Sequence, residues 1–154
     1  MENYRERLAV PVSWWLLLGG LAASVWVVYH HAYGPSVSIP VGLGLAALGA
    51  ALLLTYGALT IRVDDAGFRV GRAVLPLSAI GDVAAFSGPA ARAARGHDLD
   101  PRAFTALRGY VDGVVRVRVA DPADPTPYWI VSTRRPERLV AVLEAARQGT
   151  GTGE

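Results

Sequence analysis

"VSWWLLLGGLAASVWVVY", from Val12 to Tyr29, contains no charged residue. As an α-helix its 18 residues reach roughly 27 Å, close to the thickness of a bilayer's hydrocarbon core. A second uncharged run follows, "IPVGLGLAALGAALLLTYGAL" from Ile39 to Leu59. In lipid every backbone polar group must be satisfied internally, so both runs are expected to be helices, over about 12–31 and 39–59. Trp14 and Trp15 stand at one end of the first run, and Trp26, Tyr29 and Tyr33 at the other. Interfacial belts place amphipathic rings in this way. Two such runs in 154 residues exceed what a small soluble core needs.

Orientation follows from the arginines. Arg5 and Arg7 precede the first run, and Arg62, Arg69 and Arg72 follow the second. The connecting stretch "HHAYGPSVS", His30 to Ser38, has no Lys or Arg. The positive-inside rule then predicts a multi-pass plasma-membrane protein with both termini in the cytoplasm. A cleaved secretory signal fits poorly, because Glu2 and Glu6 mix with Arg5 and Arg7 ahead of the run, and bulky Trp26 and Tyr29 stand where small cleavage-site residues belong. Gly20 and Ser24 on the first helix, and Gly42, Ala46 and Ala50 on the second, are expected to allow close approach. Neither run carries an Asp, Glu, Lys or Arg, which argues against conduction by this chain alone.

Composition supports the same class. Hydrophobic residues make up 52% and charged residues 18%, and the apolar excess lies in the first 60 positions. With no cysteine, disulfides, thiolate nucleophiles and cysteine metal sites are excluded. The net charge is only +2, and all 15 basic residues are arginine. That usage reads as coding bias, so basicity does not argue for nucleic acid.

From Leu59 the period changes to two. Leu59, Ile61 and Val63 alternate with Thr60, Arg62 and Asp64 as a half-buried strand. "DDAG" (Asp64 to Gly67) is a turn signal, and "FRVGRAVLPL" continues as short strands. Val115, Val117 and Val119 alternate with Arg116 and Arg118. "DPADPTP" (Asp121 to Pro127) makes a rigid turn, and Tyr128 to Ser132 returns as a strand. Leu139, Val142, Leu143 and Ala146 then repeat at helical spacing between Pro136 and Gln148. The expected fold is a transmembrane helical hairpin followed by a small α+β domain, an antiparallel sheet or barrel capped by a C-terminal helix. Residues 1–59 form the N-terminal segment and hairpin, and 60–148 the cytoplasmic domain. Within that domain 87–108 is an insertion with a possible short helix near Arg102 to Leu107, and 149–154 is a disordered tail.

"YRERLAVP" followed by "WW", two spans, "GYV" and "DPADPTPYWIVSTRRPERL" resembles an uncharacterised family of small actinobacterial membrane proteins catalogued as a domain of unknown function. The resemblance implies a bacterial inner-membrane protein and carries no activity. "GFRVGRAVLPLSAIGDV" and "YWIVSTRRPERLVAVL" look like bacterial pleckstrin-homology-like domains that follow membrane hairpins. In that likeness Leu75 to Ile80 leads into the next strand, and Pro136 to Gln148 is the capping helix.

Candidate sites are few. Ser132, Thr133, Arg134 and Arg135 precede a helix N-terminus, where free N–H groups and the helix dipole favour an anion or lipid headgroup. Because Pro136 disfavours helical geometry before it, the cap falls on Arg135, and other groups must satisfy those donors. Arg62, Arg69, Arg72, Arg116 and Arg118 could line one membrane-facing side of the sheet. His30 with His31, and His97 with Asp98 and Asp100, lack the converging ligands of a metal site. No nucleophile–base constellation can be named, and Asp64 with Asp65 reads as a turn. No catalytic residue, metal or cofactor is therefore expected. The expected partners are the bilayer and a protein or a second copy, without nucleic acid. The leading expectation is a non-catalytic membrane-anchored interaction or scaffold module. The alternative is an enzyme or anionic-lipid-binding factor of lipid or envelope metabolism, with His97, Asp98 or Asp100 meeting Arg134.

Overall fold

A computed structural model describes residues 4–150, which divide into two compact units. One is the helical hairpin between Ala9 and Leu59; the other joins the chain up to Leu8 with everything from Thr60 onward.

In the hairpin, α1 spans Val12–Tyr33 and α2 spans Pro35–Tyr56. The expected loop from His30 to Ser38 collapses to Gly34 alone. This glycine turns the chain with φ +73°, a conformation L side chains rarely adopt. Pro35 occupies the first turn of α2, where its missing N–H costs nothing. The turn is closed by Gly34 N–H donating to the His30 carbonyl (3.0 Å) and Ser38 N–H donating to the Gly34 carbonyl (3.2 Å). Both helices therefore run further toward the turn than their charge-free runs indicate, and α2 stops at Tyr56, where Gly57 caps it.

The two helices meet large against small. Gly42 is buried beneath Trp26, and Gly49 faces Leu18. The expected use of Gly20 and Ser24 is not found: Gly20 borders open space, and the Ser24 hydroxyl donates back to its carbonyl at 2.8 Å. No residue of α1 is buried, and only Ser38 and Gly42 of α2 are. Aromatic rings gather at both ends, Trp14 with Tyr56 at one, and Trp26 with His30 and Tyr29 with Tyr33 at the other.

The second unit holds two four-stranded sheets. The first is an antiparallel meander of β1 (Tyr4–Arg7), β2 (Thr60–Asp64), β3 (Gly67–Val70) and β4 (Ala73–Leu75). The second has strands β5 (Ile80–Phe86), β7 (Val114–Val119), β8 (Tyr128–Ser132) and β6 (Phe104–Ala106) in that spatial order. Two differences from the sequence reading stand out. Tyr4–Arg7 belongs to the sheet, not to the hairpin's leader, with Arg7 directly opposite Thr60. Its four residues alternate as a strand should, but they are too few to reveal a period. The sheet is also not wholly antiparallel, because β6 lies parallel to β8.

Strand alternation builds the main core. Ile61, Val63, Phe68 and Val70 of the first sheet are buried, as are Val115, Val117, Trp129 and Val131 of the second. The Phe68 and Trp129 rings lie 5.9 Å apart. Helix α4 (Pro136–Thr150) lays Leu139 and Leu143, both fully buried, over β5 and β7. Each such leucine is worth roughly 1.5–3 kcal/mol. The helix passes the expected end at Gln148, and residues 151–154 of the expected tail lie outside the described residues.

The insertion is a second small core. Its helix is α3 (Gly88–Ala94), with Pro89 in the first turn, and the stretch expected as helix near Arg102 to Leu107 instead contributes β6. Ala91 and Ala94 pack on Val114 and Ile130, on the outer face of the second sheet, with Phe86, Leu99, Leu107 and Tyr128 around them. Alanines let the helix axis approach closely, and the cover explains why β7 and β8 bury residues on both faces. Ile130→Ala is therefore expected to cost about 2–4 kcal/mol. It should also accelerate amide exchange across Gly88–Ala94, as measured by hydrogen–deuterium exchange against wild type.

Candidate functional site

The turn from β8 into α4 is where the sequence placed an anion. The structure puts Ser132 and Thr133 fully inside and leaves Arg134 and Arg135 exposed. The Ser132 hydroxyl accepts the Arg108 N–H at 2.9 Å. Thr133 N–H donates to the Gly113 carbonyl at 3.0 Å. A Cβ at Gly113 would lie 2.7 Å from the Thr133 carbonyl oxygen and 3.1 Å from the Pro136 ring, so only glycine allows this approach.

The carboxylate at this joint is Glu6 of β1. Its Oε2 accepts the Thr133 hydroxyl at 2.6 Å and the Tyr4 hydroxyl at 2.7 Å. Its Oε1 accepts the Arg134 N–H at 2.9 Å. Thr133 Oγ1 in turn accepts the Arg135 N–H at 3.1 Å, and Leu139 N–H donates to the Arg135 carbonyl. Arg135 thus occupies the cap position, and its donor and that of Arg134 are met by Thr133 and by a side chain some 130 positions away. Nearby, Tyr110 donates to the Leu8 carbonyl at 2.6 Å, and the Arg134 guanidinium reaches the Arg7 carbonyl at 3.4 Å. Charge-assisted bonds of this kind contribute about 1.5–3 kcal/mol each when shielded from water.

Burial is the main reason that the Tyr4 hydroxyl is pushed up from 10.0 to about 12. The hydrogen bond from Tyr4 to Glu6, and the charge on Glu6, add to that rise, while the contact with Thr133 opposes it. Sequence reasoning missed Tyr4 and Glu6. The signal was present in "YRERL", where Tyr4, Glu6 and Leu8 alternate with Arg5 and Arg7 and so share one face.

The remaining candidates separate. Arg62 and Arg69 lie on the first sheet, Arg72 in the turn after β3, and Arg116 and Arg118 on the second sheet, so the five do not line one side of one sheet. Arg116 is held between the Phe86 and Tyr128 rings, 4.9 and 5.5 Å from their centroids. With Asp82, Ala84, Arg118 and Pro127 it borders an open groove of about 310 Å³. A neighbouring depression of about 410 Å³ shares Asp82 and Arg118 and runs along Val119 to Pro122. Neither groove includes His97, Asp98, Asp100 or Arg134.

The His97–Asp100 turn serves the insertion. The Tyr128 hydroxyl accepts the Asp100 N–H at 2.7 Å and donates weakly to the Asp98 carbonyl. Hydrogen bonds from Arg102 hold the Asp100 carboxyl below its ordinary range. His97 pairs with Asp98, at 3.2 Å, with both side chains well exposed. Asp64 accepts the Ala66 N–H at 3.0 Å, as its turn reading requires. His30 meets the buried Ser38 hydroxyl at 3.3 Å, and His31 faces the Val27 carbonyl. Among the described residues no three His, Asp or Glu side chains converge as metal ligands would. What these arrangements do chemically is hold segments together.

Residues 3–143 match the family described as Protein of unknown function (DUF3093), and the chain belongs to that family. No curated protein and no solved structure matches it significantly.

The joint makes a specific forecast. A hydroxyl whose folded pKa is raised stabilises the fold fully below its unfolded value, and that contribution is lost as pH rises from 10 through about 12. Melting temperature measured from pH 9 to 12 should fall less steeply in Tyr4→Phe than in wild type. At neutral pH Glu6→Gln, which leaves the joint's donors without a carboxylate, should lower stability by about 1–3 kcal/mol.

Proposed function

We propose that α1 and α2 cross the plasma membrane of a bacterial cell, and that the two-sheet unit is a pleckstrin-homology-like module on its cytoplasmic face. The module acts by binding a partner protein or a second copy, and not by catalysis. The observation that carries the membrane reading is the exposure of the hairpin. Leu16, Leu17, Leu21, Leu43, Leu48, Leu52 and Leu54 all point away from the protein. A core helix of a soluble protein hides such residues, whereas a lipid-facing helix presents them. The clustered rings at both ends fit the interfacial regions.

The strand pairing supports the orientation. β1 leads into α1, β2 follows α2, and the two are neighbours, so both ends of the hairpin are tied to one sheet on one side of the bilayer. Arg5, Arg7, Arg62, Arg69 and Arg72 flank those ends, and the turn carries no Lys or Arg. The module's likeness rests on strand order: a four-stranded antiparallel meander, three further antiparallel strands β5, β7 and β8, then a helix, with α3 and β6 as additions. The non-catalytic reading is supported by the joint at Thr133, whose polar groups are committed to one another.

Because the chain has no cysteine, single cysteines can report the topology. A membrane-impermeant maleimide added to intact spheroplasts is expected to label Ser36→Cys, and to label Ala66→Cys only after lysis. The opposite pattern would reverse the orientation, and release of the protein by carbonate extraction would end the membrane reading. Crosslinking in native membranes followed by gentle solubilisation should give discrete larger species; a purely monomeric band would count against the scaffold role.

A further inference from the structure

We propose that the outer face of the first sheet binds the phosphate groups of anionic lipid headgroups through a cross-strand row of arginines, Arg5, Arg62 and Arg69. This rests on the membrane reading above and names the lipid chemistry that reading leaves open. The register places Arg5 directly opposite Arg62, and Arg62 directly opposite Arg69. Adjacent strands are about 4.8 Å apart, so three arginine side chains leave the same face from neighbouring positions on three strands. Their alternate neighbours Ile61, Val63, Phe68 and Val70 are buried, so the row faces away from the core. Arg7 stands on the same face, opposite Thr60.

Among the described residues the strands contribute one acid to this face, Asp64, which lies 3.3 Å from Arg69 and also holds the turn at Ala66. The acid nearest in sequence, Glu6, is turned to the other face and bound by Thr133, Tyr4 and Arg134. The pleat of β1 thus sorts its charges, arginines outward and glutamate inward. A guanidinium carries five N–H donors, more than one partner within the protein uses, so the row can also meet an external set of anions. Guanidinium forks match phosphate oxygens with two parallel hydrogen bonds, and a row spaced by strands meets several headgroups at once.

Chain connectivity keeps the row near the lipid. Only residues 6–11 separate Arg5 from the start of α1, and residues 57–61 separate the end of α2 from Arg62. At ~3.5 Å per residue neither arginine is further than about 25 Å from a helix end, however the units are arranged. Soluble phosphates share the oxyanion chemistry, but they have no such tether.

The test uses the full chain in a neutral detergent, titrated with short-chain phosphatidylglycerol or phosphatidylcholine, with bound lipid counted by native mass spectrometry. Wild type should retain phosphatidylglycerol preferentially, and raised salt should erode the preference. R69Q should reduce it about fivefold and R62Q/R69Q roughly 25-fold, while R118Q on the other sheet should leave it unchanged. Equal retention of the two lipids by wild type, or an unchanged preference in both row variants, overturns the proposal. Should the double variant misfold, R69Q and its charge-retaining partner R69K decide the matter: R69K must keep most of the preference that R69Q loses. A third arm adds inorganic phosphate; binding there without phosphatidylglycerol retention overturns the lipid assignment. Because the titration is done in detergent, its failure is separable from failure of the membrane reading, which carbonate extraction judges.

Discussion

The pairing of β1 with β2 is the constraint on which the rest of this structure depends. Between Arg7 and Thr60, which face each other across the ladder, the chain makes its entire excursion through the two apolar helices. A flexible connection of that length would cost roughly 3.5 kcal/mol in its length-dependent closure entropy alone. The hairpin removes most of that cost, because its own ends meet, with Trp14 stacked on Tyr56 and Gly57 against Val10. Each unit therefore makes the other cheaper to form. The apolar pair brings the strand termini together, and the strand pairing holds the open end of the pair.

Glu6 extends this from a strand pair to the whole sheet unit. A four-residue edge strand held by one neighbour is weak. Here its side chains bridge to the β8–α4 joint, while Tyr110 takes the Leu8 carbonyl. Segments from the beginning, middle and end of the sequence thus converge where the last strand becomes the last helix. A joint that reads in isolation as a place to receive an anion from outside is completed by the protein's own carboxylate, with the donors of residues 133–135 distributed among Glu6, Gly113 and Thr133.

Much of this was legible in the sequence, for reasons that differ by element. The helices declared themselves through the absence of charge, the strands around Ile61 and Val117 through alternation, and α4 through Leu139, Val142, Leu143 and Ala146. The failures are also physical. Gly34 and Pro35 form so tight a turn that polar residues such as His30 and Ser38 remain helical, and no hydropathy pattern marks such a boundary. Packing partners within the hairpin depend on rotation about each helix, which chose Gly42 and Gly49 over Gly20. β1 and β6 are too short to show a period, and β6 is fixed by Trp129, whose ring lies 4.2 Å from Phe104. The arginines misled most. Summed along the chain they are balanced by acids, but the pleat separates them by face, and that separation exists only once the register is set.

The turn at Gly34 has a consequence for how such a protein meets its surroundings. In the proposed topology the two helices reverse through one residue, so the far side of the membrane receives little beyond a few aromatic and histidine side chains. Through this hairpin, signals from outside would arrive as changes in the bilayer itself, its thickness, tension or composition. On that side the hairpin itself would be blind.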